Sequence, residues 1–229
     1  MHRYAFLLLF ASLVLTACDS DDTADEAEPL AVETVNSIEA DPATIPPGGG
    51  RPVATGRYTL YSLEDGRVVL SSSEADPAVR ERDSVSTAWD VGFRSTTVIF
   101  NGGSSGPGNA AATILAEAFD DVTEAPATLL ADGNNQCPEI QGFGGVRPGP
   151  PLAVCTGSGN GWYNYDPAAN VVSPRAGRTI VFRTADEQLF GKMRILSYYQ
   201  GNPSAPTSDN ASRYYTFEYV LQPDGSREF

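Results

Sequence analysis

Histidine is almost absent from this sequence, and cysteine and methionine are scarce. The 229 residues include one histidine, three cysteines and two methionines. The histidine is His2, so the chain beyond it has no imidazole for acid–base catalysis, zinc binding or haem ligation. No nucleophile elbow, phosphate loop or zinc-protease motif is present. We expect no enzymatic activity; a hydrolase with two catalytic carboxylates is the alternative, because Asp and Glu are plentiful.

Positive charge is also scarce. The chain has 15 Lys and Arg against 29 Asp and Glu, a formal net charge of −14. A surface this acidic argues against binding to nucleic acid or to anionic lipid. It is consistent with solubility outside the cell alone, or with attraction of cations. We expect the acids next to the aromatic and β-rich segments to lie at strand ends or on the surface; they are Asp90, Asp120, Asp121 and Glu218.

Residues 1–17 have the form of an export signal. A charged start at His2 and Arg3 precedes an apolar run, 6–15, that is too short to span a bilayer. The run ends in Leu15-Thr16-Ala17-Cys18, a cleavage pattern typical of bacterial lipoproteins. We predict cleavage before Cys18 and lipidation of Cys18, which would anchor the protein stably. An ordinary secretory signal is the alternative.

The stretch 18–50 predicts a disordered tether. Its first part is strongly acidic, and it ends in Pro46-Pro47 and three glycines, so it lacks the apolar residues needed for a core. Acidic residues just after the lipidated cysteine resemble the signal that sends lipoproteins to the outer face of the outer membrane in Bacteroidota. We therefore expect cell-surface display, with a plain spacer as the alternative.

Cys137 and Cys155 form an even pair in a chain expected to be exported, which predicts a disulfide. The segment between them is rich in Gly and Pro and shows no periodicity, so we expect it to depend on this cross-link for its shape. A metal site is the rival interpretation. Two thiolates supply only half of a zinc shell, and no histidine is available to complete it.

Residues 51–229 predict one all-β domain. An Asp65-Gly66 turn between 58–63 and 67–70 indicates a hairpin, and Asp76-Pro77 indicates one short helical turn. Trp89, Val91 and Phe93 alternate with polar residues and glycine, as in a strand with one buried face. The alanine-rich stretch 110–119 is compatible with helix or strand.

The last third of the chain indicates a three-stranded antiparallel meander. Its strands are expected over 178–183, 189–199 and 214–221, with Ile180, Phe182, Met193 and Ile195 turned inwards. Short strands with close turn signals and no long helical periodicity favour an antiparallel, sandwich-like domain with one or two short helices.

A glycine-rich loop follows the strand pair that starts at Trp89. Asn101-Gly102-Gly103 ends the second strand, and the Gly, Ser and Pro residues up to Asn109 have no side chains able to build a core. Rigid strands that deliver such a loop are a common way of presenting a binding surface. We therefore predict that Asn101, Gly102 and Gly103 contact a ligand.

Several of these segments together resemble the HmuY family, surface lipoproteins of Bacteroidota-type bacteria that capture haem. The matching pieces are Trp89-Asp90 with Phe93, Asn101-Gly102-Gly103, 122–126, Trp162-Tyr163-Asn164-Tyr165, 181–186, 192–199 and 215–219. The resemblance implies an all-β HmuY fold, haem or porphyrin capture, and transfer to an outer-membrane receptor.

The sequence departs from this family in its iron ligands. The best-known members hold haem iron between two histidines and relatives use methionine, whereas here Met193 is the only methionine beyond Met1. Haem iron also accepts tyrosine, so Met193, Tyr163 and Tyr165 are the ligands to test. A HmuY-like lipoprotein without haem ligands, binding a partner protein or a glycan through its loops, is the alternative function.

Overall fold

The computed structural model describes residues 29–142 and 145–229. Strands dominate this part of the chain, every strand pair is antiparallel, and one short helix is present, as the sequence predicts. The elements are β1 (Glu33–Glu39), β2 (Thr59–Ser62), β3 (Arg67–Leu70), α1 (Pro77–Ser84), β4 (Val91–Arg94), β5 (Thr97–Phe100), β6 (Ala111–Leu115), β7 (Ile140–Gly142), β8 (Gly145–Arg147), β9 (Tyr163–Asp166), β10 (Val171–Pro174), β11 (Thr179–Arg183), β12 (Phe190–Tyr199) and β13 (Ser212–Leu221).

Two sheets form the body of the domain. The larger has the order β1-β13-β12-β11-β6, and the smaller has the order β3-β2-β4-β5. Aromatic side chains from facing strands meet between them: the ring of Phe93 lies 4.7 Å from that of Tyr215 and 5.3 Å from that of Phe217. The sandwich therefore closes on an aromatic core, to which alternating residues of β4 and β13 contribute.

The predicted C-terminal meander is confirmed, both in the order of its strands and in the side chains that it turns into the core. β11, β12 and β13 are neighbours, and Ile180, Phe182, Met193 and Ile195 all lie in the main core. The β2–β3 hairpin is confirmed as well, with Gly66 at φ +64° in its turn. Asp76 caps α1 through the backbone N–H of Ala78, although the helix runs for eight residues rather than one turn.

The boundary expected at residue 51 is wrong, because the predicted tether contains β1. Val35 of β1 pairs with Phe217, and Ile38 pairs with Tyr215, so this strand forms an edge of the larger sheet. A bulge between Val35 and Ile38, with Ser37 at φ +52°, breaks the two-residue alternation. That irregular spacing hides the strand from a search for periodicity.

Trp89 faces the opposite side of the smaller sheet from Val91 and Phe93, which corrects the expected alternation. It packs with Leu60, Leu70 and Ile99, whereas Val91 and Phe93 belong to the main core. Trp89 precedes β4 and is not part of it. Both faces of this sheet therefore bury large side chains, and Gly92 is the residue that makes room for Leu60 and Ile99 on the Trp89 side.

The stretch 110–119 contains a strand, β6, which pairs with β11 at the edge of the larger sheet opposite β1. The cysteine segment also has more structure than expected, because it contains the short hairpin β7–β8. The predicted disulfide between Cys137 and Cys155 is confirmed, with the two Cα atoms 5.4 Å apart.

We predict that a Cys137→Ser/Cys155→Ser double variant loses about 3 kcal/mol of unfolding free energy, because the cross-link restricts the unfolded chain between the two cysteines. Urea denaturation of the variant and of the dithiothreitol-treated wild type should give matching midpoints. An unchanged midpoint in the double variant would contradict the prediction.

Candidate functional site

Asp90 is a buried carboxylate that joins the turns of both sheets. Its side chain is only 6 % exposed, and its Oδ2 accepts a hydrogen bond from the backbone N–H of Leu63 at 2.8 Å, next to the β2–β3 turn. Its Oδ1 accepts one from the N–H of Ala185 at 2.9 Å, between β11 and β12. Burial raises the pKa of Asp90 above its ordinary value, although these donors favour the ionised form. Asp90 thus lies at a strand end, directly before β4, as we expected, but it is an internal clamp and not a surface acid.

Asn101 is a second internal clamp. It is completely buried, and its Nδ2 donates to the carbonyl oxygens of Trp89 at 2.7 Å and Ser86 at 3.0 Å. Its Oδ1 accepts from the N–H of Gly108 at 3.0 Å, which draws the far end of the glycine loop back against β5. All polar atoms of the Asn101 side chain are occupied inside the protein, so the predicted contact of this side chain with a ligand would require these hydrogen bonds to break.

The glycines after Asn101 allow close packing of the backbone. A Cβ on Gly102 would collide with the carbonyl oxygen of Ala110, and a Cβ on Gly103 would collide with that of Asp132. Gly102 is buried, so it cannot present a binding surface, whereas Gly103 is exposed at the edge of the loop. Glycine is therefore required here for tight contact between segments.

Asp132 repeats the pattern of Asp90 on the disulfide side of the domain. It is buried, and its carboxylate accepts hydrogen bonds from the N–H groups of Phe100 at 3.0 Å and Ala153 at 2.7 Å. Burial raises the pKa of this carboxyl as well. Asp132 therefore ties the cysteine segment to β5, beside the cross-link.

Asp41, after β1, has the opposite electrostatic behaviour. Its Oδ1 accepts from the N–H and the hydroxyl of Thr55, each at 2.7 Å, and its Oδ2 accepts from the N–H of Gly56 at 2.7 Å. Burial alone would raise the pKa of Asp41, but these hydrogen bonds and the charge of Arg213 bring it below the ordinary value. The clamp therefore holds residues 55–56 against the end of β1 in its ionised form.

The expected iron ligands differ in accessibility. Met193 has no exposed surface, because it points from β12 into the aromatic core. Tyr163 is 7 % exposed, and its hydroxyl accepts a hydrogen bond from the N–H of Gly157. Tyr165 is 38 % exposed and lies within 3.0 Å of Asn170 Oδ1, to which its hydroxyl donates. Tyr165 is therefore the one member of this set that a ligand can reach without rearrangement of the core.

A groove of about 460 Å³, here called the hairpin groove, lies beside the β2–β3 turn. The start of the described chain, the turn itself and the end of β13 contribute its walls. Its lining residues are Leu30, Ala31, Glu33, Leu63, Glu64, Asp65, Gly66, Tyr219, Leu221 and Pro223. Four other pockets on the described surface measure about 200 to 300 Å³. The hairpin groove is thus in the size range of ligand sites, with apolar walls and an acidic rim.

The sequence signalled only the Asp65-Gly66 turn of this groove. The three contributing segments, 30–33, 63–66 and 219–223, are far apart in the chain and meet because β1 and β13 pair at the edge of the larger sheet. No local motif marks such a meeting. The Asp90 clamp on Leu63 then holds the turn at its place beside β13.

In residues 29–142 and 145–229, no three His, Cys, Asp or Glu side chains come together in a way that could hold a metal ion. None of the helical structure described is long and apolar enough to cross a bilayer. The predicted signal peptide and the lipidation residue Cys18 lie outside the described residues.

We predict that Asp90→Asn lowers the unfolding free energy by about 2 kcal/mol, because one backbone N–H would then face the amide NH₂ instead of an acceptor oxygen. The loss should depend on pH. The raised pKa of Asp90 means that its ionisation becomes less favourable on folding, so its advantage over asparagine is largest at low pH and declines as the pH rises through the folded-state pKa.

Asp41→Asn is the control, because we expect its loss of unfolding free energy to depend on pH in the opposite direction. Because the pKa of Asp41 is lowered, its contribution is present above the unfolded-state pKa of about 3.9 and is lost as the pH falls through the folded-state value. Urea denaturation of the wild type and both variants between about pH 3 and pH 6 measures the two slopes. If the loss of unfolding free energy changes with pH in the same direction in Asp90→Asn and Asp41→Asn, the opposite roles assigned to the two carboxylates are disproved.

A scan against protein-family models finds no match to the chain, and a search of curated proteins finds no significant similarity. The resemblance to the HmuY family stays a prediction that rests on the residues given above.

Proposed function

We propose that this protein is a non-catalytic, HmuY-like binding protein that is anchored by lipid at Cys18, displayed on the cell surface, and takes up its ligand in the hairpin groove. The observation that carries the proposal is the groove itself: it is concave and open, and the Asp90 clamp holds one of its walls. The glycine loop, by contrast, is packed against the protein around Asn101.

The buried carboxylates support a binding role over catalysis. Each oxygen of Asp90, Asp132 and Asp41 that could act on a substrate accepts backbone hydrogen bonds instead. A general acid or base must reach its substrate within hydrogen-bond distance. These three groups stabilise the fold, whereas Glu33 and Glu64 of the hairpin groove are exposed and accessible to a ligand.

Haem or porphyrin capture is the second candidate function, and the exposure of Tyr165 favours it. Its phenolic oxygen donates to Asn170, and its lone pairs are free to approach iron. The hairpin groove suits a porphyrin poorly, because Glu33 and Glu64 would repel the two propionates. Haem would therefore bind at the β9–β10 hairpin, away from the groove.

We predict that haem titration of the protein gives no Soret shift that saturates at one equivalent, because Met193 and Tyr163 are enclosed and Tyr165 lines none of the five pockets described above. The informative variants are Tyr165→Phe and its matched control Tyr163→Phe. A saturable shift in the wild type that disappears in Tyr165→Phe and persists in Tyr163→Phe would establish the second candidate in place of the groove.

We also predict that small apolar probes bind in the hairpin groove, and that Ala31→Trp blocks them by filling it. Ala31 is exposed, so the larger side chain should not disturb the core; Ala169→Trp, at an exposed turn elsewhere, is the matched control. Amide chemical shifts during titration with hexylamine, hexan-1-ol and hexanoate report the site. Shifts for none of the three probes at residues 63–66 would contradict the proposed function.

A further inference from the structure

The hairpin groove has a distinctive charge. Among the described residues its lining contains three carboxylates, Glu33, Glu64 and Asp65, and no Lys or Arg. Three of the four other pockets contain basic residues: Arg175, Arg178 and Arg194 in one, Arg183 and Arg227 in another, and Lys192 in the third. The acidity of the groove is therefore a local feature, and does not simply follow from the net charge of the chain.

Two of the three carboxylates have no counter-charge in the described part of the molecule. Asp65 forms a salt bridge with Arg67 at 3.0 Å, whereas neither Glu33 nor Glu64 forms one. Partial burial and the nearby charges of Asp186 and Asp90 raise the pKa of Glu64. A cation at this rim would relieve that repulsion.

The walls beside these carboxylates are apolar and aromatic. Leu30, Leu221 and Pro223 contribute accessible apolar surface to the groove, whereas Leu63 and Tyr219 of the same lining are buried. Such a surface favours the hydrocarbon part of a ligand. A bare metal ion would gain nothing from these walls, and the carboxylates form no metal cluster in the described residues.

We infer that the hairpin groove binds a small organic cation, with its ammonium or guanidinium group between Glu33 and Glu64 and its apolar part against Leu30, Leu221 and Pro223. This inference rests on the proposed function and names the ligand class of that site. The ligand is a monomeric amine or guanidine with a hydrocarbon body, since the cavity of about 460 Å³ is in the range of small-molecule sites.

The test compares three probes with the same six-carbon body and different charge: hexylamine, hexan-1-ol and hexanoate. Titration of the ¹⁵N-labelled protein should show the tightest binding for hexylamine, with amide shifts at residues 63–66. The dissociation constant for hexylamine should rise about fivefold in a Glu33→Gln/Glu64→Gln variant. It should also rise as the salt concentration increases.

A Glu81→Gln/Asp209→Asn variant is the matched control, because it removes the same charge from two exposed positions outside the groove lining. It should bind hexylamine as the wild type does. If hexan-1-ol or hexanoate binds in the groove as tightly as hexylamine, or if both double variants weaken binding equally, the cation inference is overturned while the groove remains a binding site. If no probe binds there, the proposed function itself fails.

Discussion

The carboxylate of Asp90 is the connection on which the arrangement of the two sheets depends. It accepts the N–H of Leu63 from the smaller sheet's hairpin and the N–H of Ala185 from the turn between β11 and β12. Its own backbone continues the ladder, since its N–H donates to Tyr61 and its carbonyl accepts from Asn101. Aspartate suits this position because both of its oxygens accept, whereas asparagine would place a donor against a donor. The unfavourable burial of the charge is thereby offset by hydrogen bonds to two turns.

The glycine loop follows from the same constraint. Once Asp90 fixes the start of β4, the carbonyl of Trp89 lies where Asn101 Nδ2 can reach it, and Asn101 Oδ1 then holds Gly108. The loop lies over Trp89, so close that a Cβ on Gly106 would approach the indole ring within 2.8 Å. The motif of tryptophan, aspartate, asparagine and glycines is therefore a structural unit. In this chain the motif holds the loop against the smaller sheet.

The difference between local and non-local information explains what the sequence could predict. The Asp65-Gly66 hairpin, the meander of β11 to β13 and the disulfide are each encoded within short stretches, and all are confirmed. β1 was not predicted because the bulge at Ser37 disrupts the alternation of its apolar residues. The burial of Asn101 and the hairpin groove were not predicted for other reasons. Asn101 is enclosed by hydrogen bonds to Ser86, Trp89 and Gly108, whose positions depend on how the loop folds back and not on a residue pattern. The groove arises where segments distant in the chain meet, and no residue pattern within any one segment records the meeting.

The acidic residues of the chain have distinct roles that its net charge does not reveal. Acids such as Asp90, Asp132 and Asp41 are used internally, and Arg194 is neutralised by Glu218 at 2.6 Å. If solubility alone accounted for the remaining charge, the acids would be spread over the surface without regard to cavities. Instead Glu33 and Glu64 share one apolar concavity that contains no basic residue among its described lining. Carboxylates and apolar walls in one concavity are the features that the proposed binding of an organic cation requires.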